Sequence, residues 1–481
     1  IENQQRHLCG TRRKTLVRNG MLHAFDAGKF QQGDNPATSF KEHRGYFGST
    51  DGAVDYGTGQ ELWSFIPNNC VSRLKYLVKR DLANADPPYV DASPSIEDIF
   101  YTDGGETVFK TLLFSAEGNG GDTVFALDIT DPYHPAFLWE YANPDLWRSK
   151  SSPPIGKVAR LNSGGQAKWV VLFVSGQTAA DHHPSIFMVD ALTGTLLTKI
   201  DLDQAGNANL GAILSGSPAI MDANSNGYID RLYVGDDKGF MYRVNIPDNS
   251  KAVLDVKQIT DCVLVQVSQP IYASPTVYPQ NTYDSLGYVK DYHIKIMFGT
   301  GDNPNFMDNP NYAGTLYKFY VFDDVCHPFD TSMQIKDNAN HACNCSPMQT
   351  EANAVWTYTL PAGHRIWAEA FAAADTVYFG TATSDTEDPC ATPTTGTAYG
   401  NLYSLDLKNL TKDAAVQTVA TNIGNVNSVM VEDEHLYVKA TTPTGGTSLI
   451  SYGGGGYNNE VAVGTEYPIK EVRGSWRQVI Q

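Results

Sequence analysis

Apolar and polar residues alternate along this chain in short runs, each opened by a turn and most closed by Asp or Asn. Seven such runs recur: NGMLHAFD (19–26), GDTVFALD (121–128), PSIFMVD (184–190), KGFMYRVN (238–245), GTLYKFY (314–320), GNLYSLD (400–406) and, more weakly, GTSLISY (446–452). A period of two marks a half-buried β-strand. Each run follows a second strand-like run, in order KTLV, KTLLFSA, WVVLFVSG, DRLYVGD, IKIMFGTG, DTVYFGT and EHLYVKA. Run, loop and alternating run predict a hairpin in each case.

Two further elements recur around the hairpins. A small-residue strand precedes four of them: DASPSI (91–96), SSPPIG (151–156), SGSPAI (215–220) and YASPTV (272–277). Aromatic-rich strands lie downstream of three of the hairpins: ELWSFIP (61–67), FLWEYA (137–142) and VWTYTLP (355–361). The unit is thus four strands, and four-stranded sheets repeated radially make a β-propeller. The expectation is an all-β fold: an irregular, quinoprotein-like, seven-bladed β-propeller forming one domain over 1–481. The repeats are spaced more widely than the about 40–50 residues of a compact blade. Long inter-strand loop insertions must absorb the excess, at 26–59, at GDNPNFMDNPNYAG (301–314), at the cysteine-bearing stretch of about 323–348 and around TSDTEDPCATPTTGTAYG. A large sandwich or two unrelated β domains is the alternative architecture.

Composition agrees with strands and tight turns: 42 glycines, 26 tyrosines, and no long Ala/Leu/Glu/Lys stretches. Lys plus Arg number 35 against 53 Asp plus Glu, a net charge of −18. Such a field repels nucleic acid and anionic membranes, and favours divalent cations. No window reaches the roughly 18 apolar residues of a transmembrane segment. The chain opens on Ile1 without a signal peptide, as expected of a processed product or part of a longer one.

One loop concentrates candidate chemistry. DANSNGYID (222–230) lies between SPAIM and RLYVGD, hence between the first and second strands of one unit. Asp222, Asn224 and Asn226 fall at positions 1, 3 and 5 of a calcium-type loop. Gly227 permits the sharp turn at 6, Tyr228 offers its main-chain carbonyl from 7, and Asp230 stands at 9. Hard Ca²⁺ wants six to eight oxygens, and alternating side chains on a curled loop supply them. Position 12 is Tyr233, so no bidentate Glu closes the set, and strands rather than helices flank it. Two carboxylates predict modest affinity, on the order of 10⁻⁶ to 10⁻⁴ M. The competing reading is an Asx-rich turn that only satisfies its own backbone.

Other motifs carry less. Seven cysteines (Cys9, Cys70, Cys262, Cys326, Cys343, Cys345 and Cys390) form no C-x-x-C, which leaves disulfides as the expected use and one thiol over. Cys326, His327, His341, Cys343 and Cys345 could instead hold zinc. His182 and His183 read as solvent-facing, His23 as a packed strand residue, and GGGG (453–456) as a connector.

NGMLHAFDA with GQELWSFIP downstream, VDASPSIEDIFY, GSPAIMDANSNGYIDRLYVGDDKGFMYRVNI, FGTGDN and the closing GSWRQVIQ together cover most of the chain. In these segments it resembles the C-terminal propeller of PilY/PilC-type proteins, the type IV pilus biogenesis factors and tip-associated adhesins of bacteria. That resemblance implies a calcium site at Asp222, Asn224, Asn226, Tyr228 and Asp230, linked to pilus extension against retraction. It also implies minor pilins and the pilus tip complex as partners, a host or abiotic surface as adhesive target, and a secreted, cell-surface location reached through the periplasm or outer membrane. The family's variable N-terminal adhesive domain has no counterpart in these residues. No enzymatic activity is implied. The rival class is a periplasmic pyrroloquinoline quinone-dependent dehydrogenase-like propeller, but this chain lacks a vicinal cysteine pair and regular tryptophan motifs.

Overall fold

A computed structural model of the chain describes residues 8–9, 20–26, 30–31, 46–47, 59–74, 89–158, 167–223, 226–247, 254–283, 289–302, 316–324, 348–383, 400–408, 410–411, 414–432, 435–441 and 447–452. Strands dominate it. Where the alternating runs are described they become strands, and most join their predicted partners. Phe240–Asn245 pairs with Arg231–Gly235, Thr123–Asp128 with Glu106–Ala116, and Lys318–Asp324 with Val289–Gly299, all antiparallel. Leu402–Asp406 likewise pairs with Thr376–Gly380, and Thr447–Tyr452 with His435–Thr441. KTLV lies outside the described residues; Leu22–Phe25 pairs with Leu8–Cys9 and with the downstream aromatic strand Glu61–Phe65. Local chemistry fixes some of these turns. Asp103 and Glu106 face one another across Gly104–Gly105, both at positive φ (59° and 90°), as a two-residue primed turn requires.

The closed seven-bladed wheel is not what forms. Among the described residues the strands make nine separate open sheets of two to five strands, and they are not closed into a propeller. Inserted segments explain much of the irregularity, because their backbone N–H and C=O groups must also find partners. Phe30–Gln31 and Tyr46–Phe47, inside the 26–59 segment read as a loop, form a two-stranded sheet of their own. Gln349–Thr350, emerging from the cysteine-bearing insertion, adds to the edge of Thr260–Gln266 as a fifth strand, in parallel. The first and last sheets have three strands.

The chain divides into two compact units. The first comprises 1–155, 171–178 and 187–197. Its core gathers Leu22, Val90, Leu113, Phe125 and Leu127. Trp139 donates its indole N–H to Ala191 O at 3.0 Å. The second comprises 156–170, 179–186 and 198–481. Here Met221, Tyr233, Met241 and Leu264 of one sheet pack against Ile294, Ile296, Phe298 and Tyr320 of the next. Phe319 and Phe379 stack with centroids 4.1 Å apart. Coverage on both faces buries Arg231–Gly235 along its whole length.

Candidate functional site

The loop 222–230 joins Ala219–Met221 to Arg231–Gly235, and the ladder closes at Met221↔Arg231. Its curl comes from its own side chains. Asp222 Oδ1 accepts the Asn226 N–H at 3.1 Å and Oδ2 accepts that of Gly227 at 2.7 Å. Gly227 stands at φ +92°, a conformation side chains rarely adopt. Asn226 Oδ1 accepts the Tyr228 N–H at 3.0 Å. Across the loop, both oxygens of Asp230 accept the Ala223 N–H, at 3.0 and 3.1 Å.

Four of the five predicted residues, Asp222, Asn226, Tyr228 and Asp230, therefore share one hydrogen-bonded loop. Asn224 lies outside the described residues. The donor set is all oxygen, which suits a hard cation. A carboxylate oxygen has two acceptor sites, so accepting a loop N–H is compatible with holding an ion. Among the described residues no three His, Cys, Asp or Glu side chains gather as a metal cluster. This loop would contribute two carboxylates, with amide and carbonyl oxygens for the remainder.

Both ends of the loop are anchored. The Ile229 N–H bonds Lys157 O at 2.8 Å, and its side chain lies against Gly156, where an added Cβ would stand 2.8 Å from Ile229 Cγ2. The Asp230 N–H bonds Met221 O at 3.0 Å, and Asp230 O accepts the Ile246 N–H at 2.8 Å. Immediately after it comes a buried charge cluster that sequence reasoning missed. Asp324 Oδ2 accepts Arg231 Nη1 at 3.2 Å and the Tyr233 hydroxyl at 2.7 Å, while Oδ1 accepts Arg243 Nη1 at 2.5 Å. Burial, reinforced by the Asp324 charge, pushes the Tyr233 phenol far above its ordinary range. For Arg231, burial opposes the charge, yet Tyr233, Asp324 and Asp230 outweigh it and strengthen its hold on the proton. The available signal was an arginine in each of two largely apolar strands, opening RLYVG and within FMYRVN.

A second polar node closes the following turn. Asp236 Oδ1 accepts the N–H groups of Lys238 and Phe240, and Oδ2 accepts the Tyr242 hydroxyl at 2.8 Å. Burial, with a smaller contribution from the Asp237 charge, pushes Asp236 up to about 7. His183 does not face solvent alone, since Nδ1 meets Asn209 Oδ1 at 2.8 Å. His23 is buried, as read, with Nδ1 3.2 Å from Glu61 Oε1. Cys326, His327, His341, Cys343 and Cys345 lie outside the described residues. Cys70 is a buried free thiol, and Cys262 is disulfide-bonded. No described helix is long and apolar enough to cross a membrane.

These features define an all-β domain that carries an oxygen-donor loop on one hairpin, braced by buried charge. The chain belongs to the PilY1 beta-propeller domain family, whose model matches residues 4–325. It is similar to the type IV pilus biogenesis factor PilY1 of Pseudomonas aeruginosa, with 31% identity over 304 residues, 57% of this chain and 24% of that protein. A PilY1 homolog of Xylella fastidiosa is 28% identical over 233 residues, covering 48% of this chain and 18% of the homolog. The chain thus spans about a quarter or less of the length of these relatives. The crystal structure of the Pseudomonas aeruginosa PilY1 C-terminal domain aligns with a TM-score of 0.52 and 20% identity, over 90% of this chain and 89% of that one, a likeness of fold.

Proposed function

We propose that this chain is a calcium-binding, non-catalytic domain of a type IV pilus biogenesis factor, acting in pilus assembly, in the balance of extension and retraction, and in surface adhesion. The family assignment supports the pilus role, because the relatives carry that name. The calcium role is carried by one observation: the carboxylates of Asp222 and Asp230 are each aimed by N–H groups of the same loop. Asp222, Asn224, Asn226 and Asp230 would hold the ion through side-chain oxygens, and Tyr228 through its main-chain carbonyl. Bound there, Ca²⁺ would supply a divalent charge shared by the two arms of the loop. Asp222 shapes the first arm and Asp230 ties the second to Ala223. The partners are minor pilins of the tip complex, and the location is the cell surface.

The test is cellular. The intact factor carrying Asp222→Ala with Asp230→Ala is expressed in its own bacterium, and surface pili are counted with calcium present or chelated. The expected result is normal secretion with piliation that no longer responds to calcium. Piliation that tracks calcium as in the wild type would refute the calcium role. Immunogold label distributed away from filament ends would refute the tip location.

A further inference from the structure

The loop must present Asp230 toward Ala223, and the residues on either side of Asp230 determine whether it can. Ile229 is 1% exposed and sits over Gly156 of the Ile155–Val158 strand. Arg231 is 4% exposed, and its guanidinium reaches Asp324, at the end of the Lys318–Asp324 strand of another sheet. In extended chain, residues two apart share a face and the residue between them points to the other. With Ile229 and Arg231 both drawn inward, Asp230 is turned back to the loop, where both its oxygens meet the Ala223 N–H. The same alternation puts Tyr233 beside Arg231, and its hydroxyl also reaches Asp324 Oδ2.

Charge works in the same direction. The Arg231 cation is one residue from Asp230, and without a competing anion it would attract that carboxylate away from the loop. Asp324 provides the competing anion inside the fold, where screening by salt is weak. Arg243, on the neighbouring strand, holds Asp324 from its other oxygen and so fixes the position to which Arg231 is drawn.

We propose that Asp324 is a positioning residue for the calcium loop. Acting through Arg231, it fixes the direction of Asp230 without touching the ion. This rests on the calcium reading above. The sheet that carries Asp324 would thereby be coupled to calcium occupancy on its neighbour.

Calcium calorimetry on the full chain tests it, with folding checked by circular dichroism. Asp324→Asn is expected to weaken calcium binding about tenfold or more, and Tyr233→Phe, which removes one hydroxyl but keeps every charge, about threefold. Asp324→Glu should recover part of the loss. Leu264→Ala, in the core of the sheet that carries the loop, should lower Tm and leave affinity unchanged, separating positioning from general stability. A folded Asp324→Asn chain with wild-type affinity overturns the proposal. Where Asp324→Asn does not fold, unchanged affinity in Tyr233→Phe overturns it. If the wild-type chain takes up no calcium, the calcium reading and this proposal fall together. If the wild type binds and Asp230→Asn abolishes binding while Asp324→Asn does not weaken it, only this proposal falls.

Discussion

Arg243 Nη1 donates to Asp324 Oδ1 at 2.5 Å, with both side chains fully buried and 81 residues apart in the chain. One carboxylate there serves two guanidinium groups and a phenol. A buried charge left without its partner costs far more than the intact pair contributes, because its desolvation is no longer offset. Asp324→Asn should therefore lower unfolding free energy by about 3–5 kcal/mol. Tyr233→Phe should cost about 1 kcal/mol. Urea denaturation at neutral pH measures both, and near-equal losses would show that the cluster is held by packing.

Calcium should raise the melting temperature of the wild-type chain and leave Asp222→Ala and Asp230→Ala unmoved. At a free concentration of about one hundred times Kd, binding adds about 2.7 kcal/mol to the wild type. Thermal melts with calcium and with chelator give the comparison. An equal shift in all three proteins would place the ion elsewhere.

Stability should decline as pH rises from about 4 to about 7 through two buried carboxyls. Burial pushes Asp236 from an ordinary 3.8 up to about 7. Burial, then the charges of Asp203 and Asp201, pushes Asp261 up to about 6. Each binds its proton more tightly when folded, so its favourable contribution is complete below the ordinary carboxylate value and is lost as pH rises through the raised one. Asp261→Asn should flatten the pH dependence between about 4 and about 6, measured by urea unfolding across that range. A wild-type-minus-variant difference that does not change over the range would refute the assignment.

Cys70 should resist thiol reagents in the native chain. Its Sγ donates to Glu117 Oε1 at 3.0 Å, and burial, followed by the effect of Glu117, pushes the thiol up to about 12. The thiolate is the reactive form, so Ellman's reagent at mildly alkaline pH should label Cys70 only after denaturation. Labelling of Cys70 in the folded protein at the rate of a free thiol would contradict this.

Local pattern was informative where partners are near in sequence. RLYVG and FMYRVN announce a hairpin through their apolar runs and the intervening DDKG, and the Asp and Asn residues of the loop 222–230 announce its self-bonded curl. Pattern was silent where partners are distant. Nothing around Asp324 indicates Arg231, 93 positions earlier, because an Asp pair at a strand end carries no mark of what either will meet. The two-residue strand Gln349–Thr350 is too short to show any period, yet it gives one sheet its fifth member. A repeat of hairpins likewise specifies each ladder but not how many strands join each sheet or whether the set closes, since inserted segments add pairings of their own.

That added strand bears on the solubility of the whole chain. The Thr260–Gln266 strand would otherwise offer its outer N–H and C=O row to any passing strand, a common start of aggregation. Gln349–Thr350 occupies its Val265–Gln266 end, and Glu351 just beyond accepts the Ser268 N–H at 2.8 Å and Lys318 Nζ at 2.9 Å. The segment that makes the sheet irregular thus supplies its gatekeeper, and removing Gln349–Glu351 would open that edge to self-association.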